Sequence, residues 1–429
     1  MSTKAVRGMH DLYGETLLRW VHVERLLTRR AAIWGYQEIR TPALEHAEVF
    51  KQTVGEDTDI VQKQMYFVDG ASADGSSSEG RLVLRPEGTA SFMRAVIEHG
   101  LHQNSAPQRF FYSLPMFRHE RPQKGRLRQF HQFGAECIQD PSPEVDVELI
   151  ALLDHLIRSL GLEDFEVRVN SVGCLECRTA YSKLLSNFLK PLLPSLCELC
   201  QGRFERAPLR VLDCKNESCQ KATGAAPLLA NALCAACSSH HSTALNRLRQ
   251  TGIPFIEDPK IVRGLDYYTR TAFEFTSNLL GAQSALGGGG RYDALAARFG
   301  DKGFPGVGFG LGIERLLLAL EAKNLLKTQV PTPSLYFAAL GEAAFSQLFP
   351  LAVSLKRAGV WVQMEYTARN LKAHLKAADR SGALWTLILG DNEIQAGKAI
   401  LKNMKQGTQE ELALDSLETL LQQKVTCAA

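Results

Sequence analysis

Phe117-Arg118-His119-Glu120-Arg121-Pro122-Gln123-Lys124-Gly125-Arg126-Leu127-Arg128-Gln129-Phe130-His131-Gln132-Phe133-Gly134-Ala135-Glu136 is the most informative stretch of this 429-residue chain. Its ends belong to two runs, Arg109–Met116 and Arg128–Glu136, that read as paired strands around a basic loop. Four arginines and a lysine stand between the strands, and Gly125 permits the turn. A guanidinium suits phosphate because its planar fork donates two hydrogen bonds at once. The cations alone would also fit a solvated basic hairpin. Glu120, Phe130 and Glu136, set at fixed strand offsets, argue instead for a ligand site.

Working outward, Gly14–Trp34 reads as a helix with Leu17, Leu18, Val21, Leu26 and Leu27 near helical spacing and Gly35 as its stop. Tyr36–Arg40 alternates as a strand until Thr41-Pro42, where the missing amide ends pairing. Gln64–Val68 and Arg81–Leu84 are expected as strands joined by a polar, glycine-rich, mobile hairpin loop over 69–80. Helices follow at Gly88–His99 and Val147–Leu160, with a strand at Phe165–Asn170. The segment from about 174 to 252 is cysteine-rich and largely helical. Strands resume at Ile253–Ile256 and Ala272–Thr276, and a glycine-rich stretch leads to a helix over Ile313–Lys323. Two prolines mark 327–333 as a linker. Beyond it strand and helix alternate: Leu335–Leu340, Ala343–Ala358, Val360–Glu365, Asn370–Ser381, Leu384–Leu389. The expected fold is an α+β domain over 1–326 built on an antiparallel sheet and interrupted by the helical insertion, then a C-terminal α/β domain over 334–429.

Composition adds boundaries. Hydrophobic residues make up 45% and charged residues 22%, ordinary for a globular chain. A net charge of +3 neither argues for nucleic acid nor excludes a local basic face. The N-terminus lacks a signal segment, and no run approaches the ~18 apolar residues of a membrane helix, so a cytoplasmic location is expected. Eight of the ten cysteines fall in pairs: Cys174/Cys177, Cys197/Cys200, Cys214/Cys219 and Cys234/Cys237. In a reducing compartment such pairs serve as metal ligands more often than as disulfides, and two facing pairs can supply the four thiolates of a Zn²⁺ site. Reduced thiols without metal are the alternative, and spacing singles out no set of four.

Phe-Arg-x-Glu, a loop, then Arg-x-x-x-Phe, with no Walker lysine, resembles motif 2 of class II aminoacyl-tRNA synthetases. The resemblance implies that Arg118 holds the ATP α-phosphate and Glu120 receives the adenine amino group. It further implies that Phe130 stacks on adenine, Arg126 reaches the outer phosphates, and the loop at Arg121 and Gln123 approaches the tRNA acceptor end. Gly308-Phe309-Gly310-Leu311-Gly312-Ile313-Glu314-Arg315-Leu316 resembles motif 3, with Arg315 clamping the γ-phosphate. Gly14 to Pro42 has the form of motif 1, which implies a homodimer.

Arg263-Gly264-Leu265-Asp266-Tyr267-Tyr268-Thr269-Arg270 resembles a segment characteristic of histidyl-tRNA synthetases, as does Leu84-Arg85-Pro86-Glu87-Gly88-Thr89-Ala90. By that resemblance Arg263 sits by the α-phosphate, and Tyr268, beside Tyr267, meets the substrate imidazole. Glu87, Thr89 and Gln132 bind the α-amino group, and Glu136 accepts from the ring N–H. Imidazole presents a donor and an acceptor, so a carboxylate and a tyrosine hydroxyl can read both. The implied activity is ATP- and Mg²⁺-dependent ligation of L-histidine to tRNA(His) through a histidyl-adenylate. Gly287–Gly290 lacks the context of a phosphate loop and is expected to let strands pass closely beneath the histidine pocket. In the last domain Arg369, Lys372, Lys376 and Arg380 fall at helical offsets, where the family places anticodon binding. A histidine-sensing regulatory paralogue is the rival reading. Such paralogues lack the anticodon domain and erode the ATP arginines, and this chain keeps both.

Overall fold

The computed structural model describes residues 3–55, 58–68, 81–103, 106–206, 208–212, 214, 216–259, 261, 267–281, 284–326, 330–367 and 369–426. The chain divides into two compact units, Met1–Thr328 and Gln329–Ala429.

The first unit is built on an eight-stranded sheet whose order is Gln37–Glu38, Gln108–Phe117, Gln129–Ile138, Gly306–Gly312, Ala285–Arg291, Thr269–Thr276, Glu166–Ser171, Ile256–Glu257. All its pairings are antiparallel except those of the two short edge strands. The hairpin around the basic loop is the longest ladder, running from Gln108 opposite Ile138 to Phe117 opposite Gln129. Helices cover one face. Gly14–Ile33 buries Trp20, Val23, Leu27 and Ala31, a spacing that keeps one stripe against the sheet. Pro143–Arg158 lies in the same core and is buried along most of its length. It starts four residues before the sequence suggests, because Pro143 occupies the first turn, where a missing amide costs nothing. The opposite face carries Phe92, Met93, Tyr112, Met116, Tyr267, Tyr268 and Tyr292, an aromatic layer under the helix Thr89–Glu98.

Two expectations need correction. Tyr36–Arg40 pairs only over Gln37–Glu38, and Ile253–Ile256 becomes Ile256–Glu257, after Pro254 has passed. The glycine-rich stretch is itself two central strands, Ala285–Arg291 and Gly306–Gly312. Glycine is depleted in strands generally, which hides them from a propensity reading. Here bare backbone is obligatory: a Cβ on Gly289 would lie 1.9 Å from the Gly308 carbonyl oxygen. The loop expected over 69–80 lies outside the described residues; the strands either side of it, Tyr66–Val68 and Leu82–Leu84, pair antiparallel with each other.

A helical segment leaves the sheet after Ser171. Its helices Leu175–Leu189, Glu198–Arg206, Glu217–Thr223 and Ala235–Gln250 are linked by short turns. Tyr181, Leu185, Leu189, Leu196, Val211 and Leu229 give it a core of its own. In the second unit the strand order is Val362–Met364, Leu335–Ala339, Trp385–Leu389, Lys398–Asn403, Gln409–Ala413, the first three parallel and the last two antiparallel. Its core is closed by the helices Glu342–Arg357 and Leu417–Thr426.

Candidate active site

A cavity of about 310 Å³ opens on the aromatic face of the large sheet. It is walled by the basic hairpin, the start of the helix Thr89–Glu98, the two tyrosines 267 and 268, and the two glycine strands. Glu87, Thr89, Arg118, Glu120, Arg126, Phe130, Gln132, Tyr267, Tyr268 and Arg315 all line it. Residues separated by nearly 230 positions therefore meet in one chamber.

At one end the chamber is cationic. The Arg118 Nε donates to the Pro86 carbonyl at 2.9 Å, and its guanidinium carbon lies 5.2 Å from the centre of the Phe130 ring. Arg315 is held by the Gly125 and Ala285 carbonyls, both at 2.9 Å. Arg126 pairs with Glu120 at 2.5 Å. Arg118 and Arg315 both titrate below the ordinary arginine range, first because they are desolvated and further because Arg126 repels each of them. Three guanidiniums compressed around one carboxylate form a site that gains by accepting an anion.

At the other end it is acidic. Glu87 is buried at the start of the helix Thr89–Glu98, where its oxygens accept the amides of Thr89 (2.9 Å) and Ala90 (2.7 Å). Burial raises its pKa and those amide bonds oppose the rise. The Tyr267 hydroxyl donates to the same carboxylate at 3.5 Å. Glu136 lies directly behind the wall. Thr89 and Tyr112 donate hydroxyls to Oε1 at 2.8 and 3.1 Å, and Tyr292 donates to Oε2 at 2.7 Å. Desolvation pushes Glu136 up to about 8, against the pull of those hydroxyls. Gly308 makes this burial possible, since a Cβ there would lie 1.6 Å from Glu136 Oε2.

Arg263 lies outside the described residues. Arg121 and Gln123 are exposed in the hairpin loop, with Gln123 bridging to Arg126 through the backbone. Tyr112, Tyr292 and Glu274 belong to the site or its support and carry no sequence signal in the motifs above, while Glu314 stands inside the motif 3 run without a role assigned to it there. Glu314 accepts the His131 amide at 2.9 Å and so ties the arginine-bearing helix to the hairpin. Arg85, one residue before Pro86, donates to the Thr41, Pro42 and Pro115 carbonyls and locks the Glu87 segment to the sheet. In the second unit Lys372, Lys376 and Arg380 share the exposed side of the helix Leu371–Ser381. Arg369 precedes that helix and pairs with Glu365 at 3.2 Å, so the stripe is shorter than its spacing suggests.

The family model described as histidyl-tRNA synthetase matches residues 8–316, and one described as anticodon binding domain matches 336–424. The histidine–tRNA ligase of Caldanaerobacter subterraneus subsp. tengcongensis is 44% identical over 419 residues, covering 97% of this chain and 99% of that one. The histidine–tRNA ligase of Halothermothrix orenii is 43% identical over 426 residues, covering 99% and 100%. The crystal structure of apo S. aureus histidyl-tRNA synthetase superposes with a TM-score of 0.81 at 33% identity, covering 98% of this chain and all of that one. With a cavity of this composition, a matched catalytic model and relatives aligned end to end, the chain belongs to the histidyl-tRNA synthetase family.

Proposed function

We propose that the cavity activates L-histidine with ATP, supplied as its magnesium complex, and passes the histidyl group to tRNA(His). The observation that carries the reading is the polarity of one chamber, with three arginines at one end and the buried Glu87 at the other, backed by Glu136 behind the wall. Arg118 fits the α-phosphate, where negative charge grows as the histidine carboxylate oxygen attacks phosphorus and pyrophosphate leaves. Arg126 and Arg315 fit the outer phosphates, and Phe130 fits the adenine face. Arriving ATP would separate Glu120 from Arg126, freeing the carboxylate for the adenine amino group and the guanidinium for phosphate. Arg263 is the second α-phosphate cation that family likeness supplies.

For histidine, Glu87, Thr89 and Gln132 suit the ammonium group. Tyr268, with Tyr267 packed at 4.7 Å between ring centres, suits the imidazole. Three hydroxyl donors leave Glu136 about one of its roughly four acceptor sites for the ring N–H. In the second step the terminal ribose hydroxyl of tRNA attacks the adenylate carbonyl and AMP leaves. Arg121 and Gln123 face the acceptor end in this reading, the second unit takes the anticodon, and two copies form the working dimer.

Histidine-dependent exchange of pyrophosphate into ATP tests the proposal. Exchange with histidine and none with phenylalanine or other amino acids is expected; no exchange with histidine would refute it. Sedimentation velocity should return twice the chain mass.

A further inference from the structure

The eight paired cysteines resolve into two separate quartets, a partition that spacing alone does not reveal. Cys174, Cys177, Cys234 and Cys237 form one, and Cys197, Cys200, Cys214 and Cys219 the other, with all four sulfurs of each within 4.8 Å of one another. We infer that each quartet holds one structural Zn²⁺ ion, so that the helical segment carries two nested tetrathiolate centres. The second lies wholly within the stretch between Cys177 and Cys234.

Geometry supports a single ion in each. Four thiolates at ~2.3 Å from zinc stand ~3.8 Å apart at the corners of a tetrahedron. The sulfur separations are 3.5 Å for Cys174–Cys177, 4.0 Å for Cys174–Cys234 and 3.8 Å for Cys197–Cys214. A disulfide needs ~2.0 Å, and a multi-iron cluster holds its four thiolates further apart than these quartets do. Both quartets are partly or fully buried, and six of the eight thiols belong to a CxxC pair. Oxygen ligands are absent from both sets, which suits zinc and excludes magnesium or calcium.

The surrounding backbone is arranged for thiolates. The Cys234 amide donates to Cys177 Sγ at 3.1 Å, and the Cys197 amide to Cys219 Sγ at 3.2 Å. The Asn216 amide points at Cys214 Sγ from 3.5 Å. Cys174 and Cys234 are the N-cap residues of Leu175–Leu189 and Ala235–Gln250, where the helix termini favour negative charge. Gly173, at φ +61°, makes room at the base: a Cβ there would stand 2.5 Å from Cys177 Cβ. The first centre thus closes the stem of the segment where it leaves the sheet. The second joins the short helical turns of its far end, with Cys200, Cys214 and Cys219 set inside the segment's own core.

Metal content decides the matter. Full-length protein made in zinc-replete medium and passed through metal-free buffer should hold two zinc ions per chain, by elemental analysis and by native mass spectrometry. Cys177→Ser with Cys237→Ser should leave one, as should Cys200→Ser with Cys219→Ser. Should a variant fail to fold, the wild type still answers. An organomercurial should release two zinc ions per chain as the eight quartet thiols are titrated, and cobalt exchange should give the tetrahedral tetrathiolate spectrum. Fewer than two zinc ions in the wild type, iron in their place, or cysteines joined as disulfides in a peptide map would each overturn the inference. Loss of both ions from one double variant that keeps its helical circular dichroism would overturn the partition.

Discussion

In the proposed reaction Arg118 carries the α-phosphate; it is desolvated, repelled by two neighbouring arginines and still held at the Pro86 carbonyl. Replacing it with alanine should lower kcat for histidine-dependent exchange by about 10²–10³, the usual cost of losing one preorganised charge at a reacting centre. Thermal stability should stay level or rise, since the same substitution relieves cation repulsion; an unchanged kcat would move the α-phosphate elsewhere. Glu136 is the second case. Its native pKa of about 8 exceeds its ordinary value of 4.5, so the folded state holds the proton more tightly than the unfolded chain. Stability attached to that proton is complete below the unfolded pKa and is lost as pH rises through about 8. Accepting an imidazole N–H requires the ionised form, so kcat/KM for histidine should climb through the same range. Glu136→Gln should flatten that limb and the matching slope in Tm, and a pH profile indistinguishable from the wild type would refute both. These two residues also divide what the sequence disclosed. Arg118, Glu120 and Phe130 announce themselves by spacing within one hairpin. Tyr112, across the same hairpin, and Tyr292, just past the distant strand Ala285–Arg291, both hold Glu136, and no spacing marks either before the sheet has formed.

Elements show the same division. The hairpin Gln108–Ile138 and the helix Gly14–Ile33 are both legible as elements, but the helix buries Trp20, Val23, Leu27 and Ala31, a stripe that shares only Leu27 with the leucine and valine spacing that announces it. Ala285–Arg291 is not legible, because four consecutive glycines carry no period, and Gly306–Gly312 hides its alternation of Val307, Phe309 and Leu311 behind glycines that a close approach across the sheet requires. Gly308→Ala would drive a methyl group into the Glu136 carboxylate, and Gly289→Ala into a carbonyl. Each should destabilise the first unit by more than the ~1–3 kcal/mol typical of core overpacking, read as a lowered urea midpoint. A buried network adds a second constraint between elements. Asp146 on Pro143–Arg158 receives Arg291 Nη2 at 2.6 Å and His240 Nε2 at 2.7 Å, together with the Thr271 hydroxyl. Arg291 raises the demand on that carboxylate because its own side chain is fully buried. Asp146→Ala should cost about 3–5 kcal/mol by stranding a buried cation. A loss of under about 1 kcal/mol would mean that Arg291 finds other partners.

Taken whole, the chain is two units with separate cores, and the pocket lies entirely within the first. Residues 1–328 alone should keep histidine-dependent exchange while losing most tRNA charging. The charging that the full chain performs should weaken steeply with salt, as phosphate contacts do. Exchange lost together with charging would show that the second unit supports activation itself. The helical segment poses a different problem, one of chain entropy. Ser171 pairs with Thr271 in the sheet, so two neighbouring strands are joined through about a hundred intervening residues. Closing a flexible loop of that length costs roughly 4 kcal/mol before any contact repays it, yet doubling it would add only ~0.6 kcal/mol. The segment can therefore lengthen or shorten at little thermodynamic expense, and its burden falls on the rate of folding. Bringing Cys174 to Cys234, whose sulfurs lie 4.0 Å apart in the finished structure, cuts the open loop from about a hundred residues to about forty. A chain whose stem closes first assembles Glu166–Ser171 onto Thr269–Thr276 across less than half of the original loop.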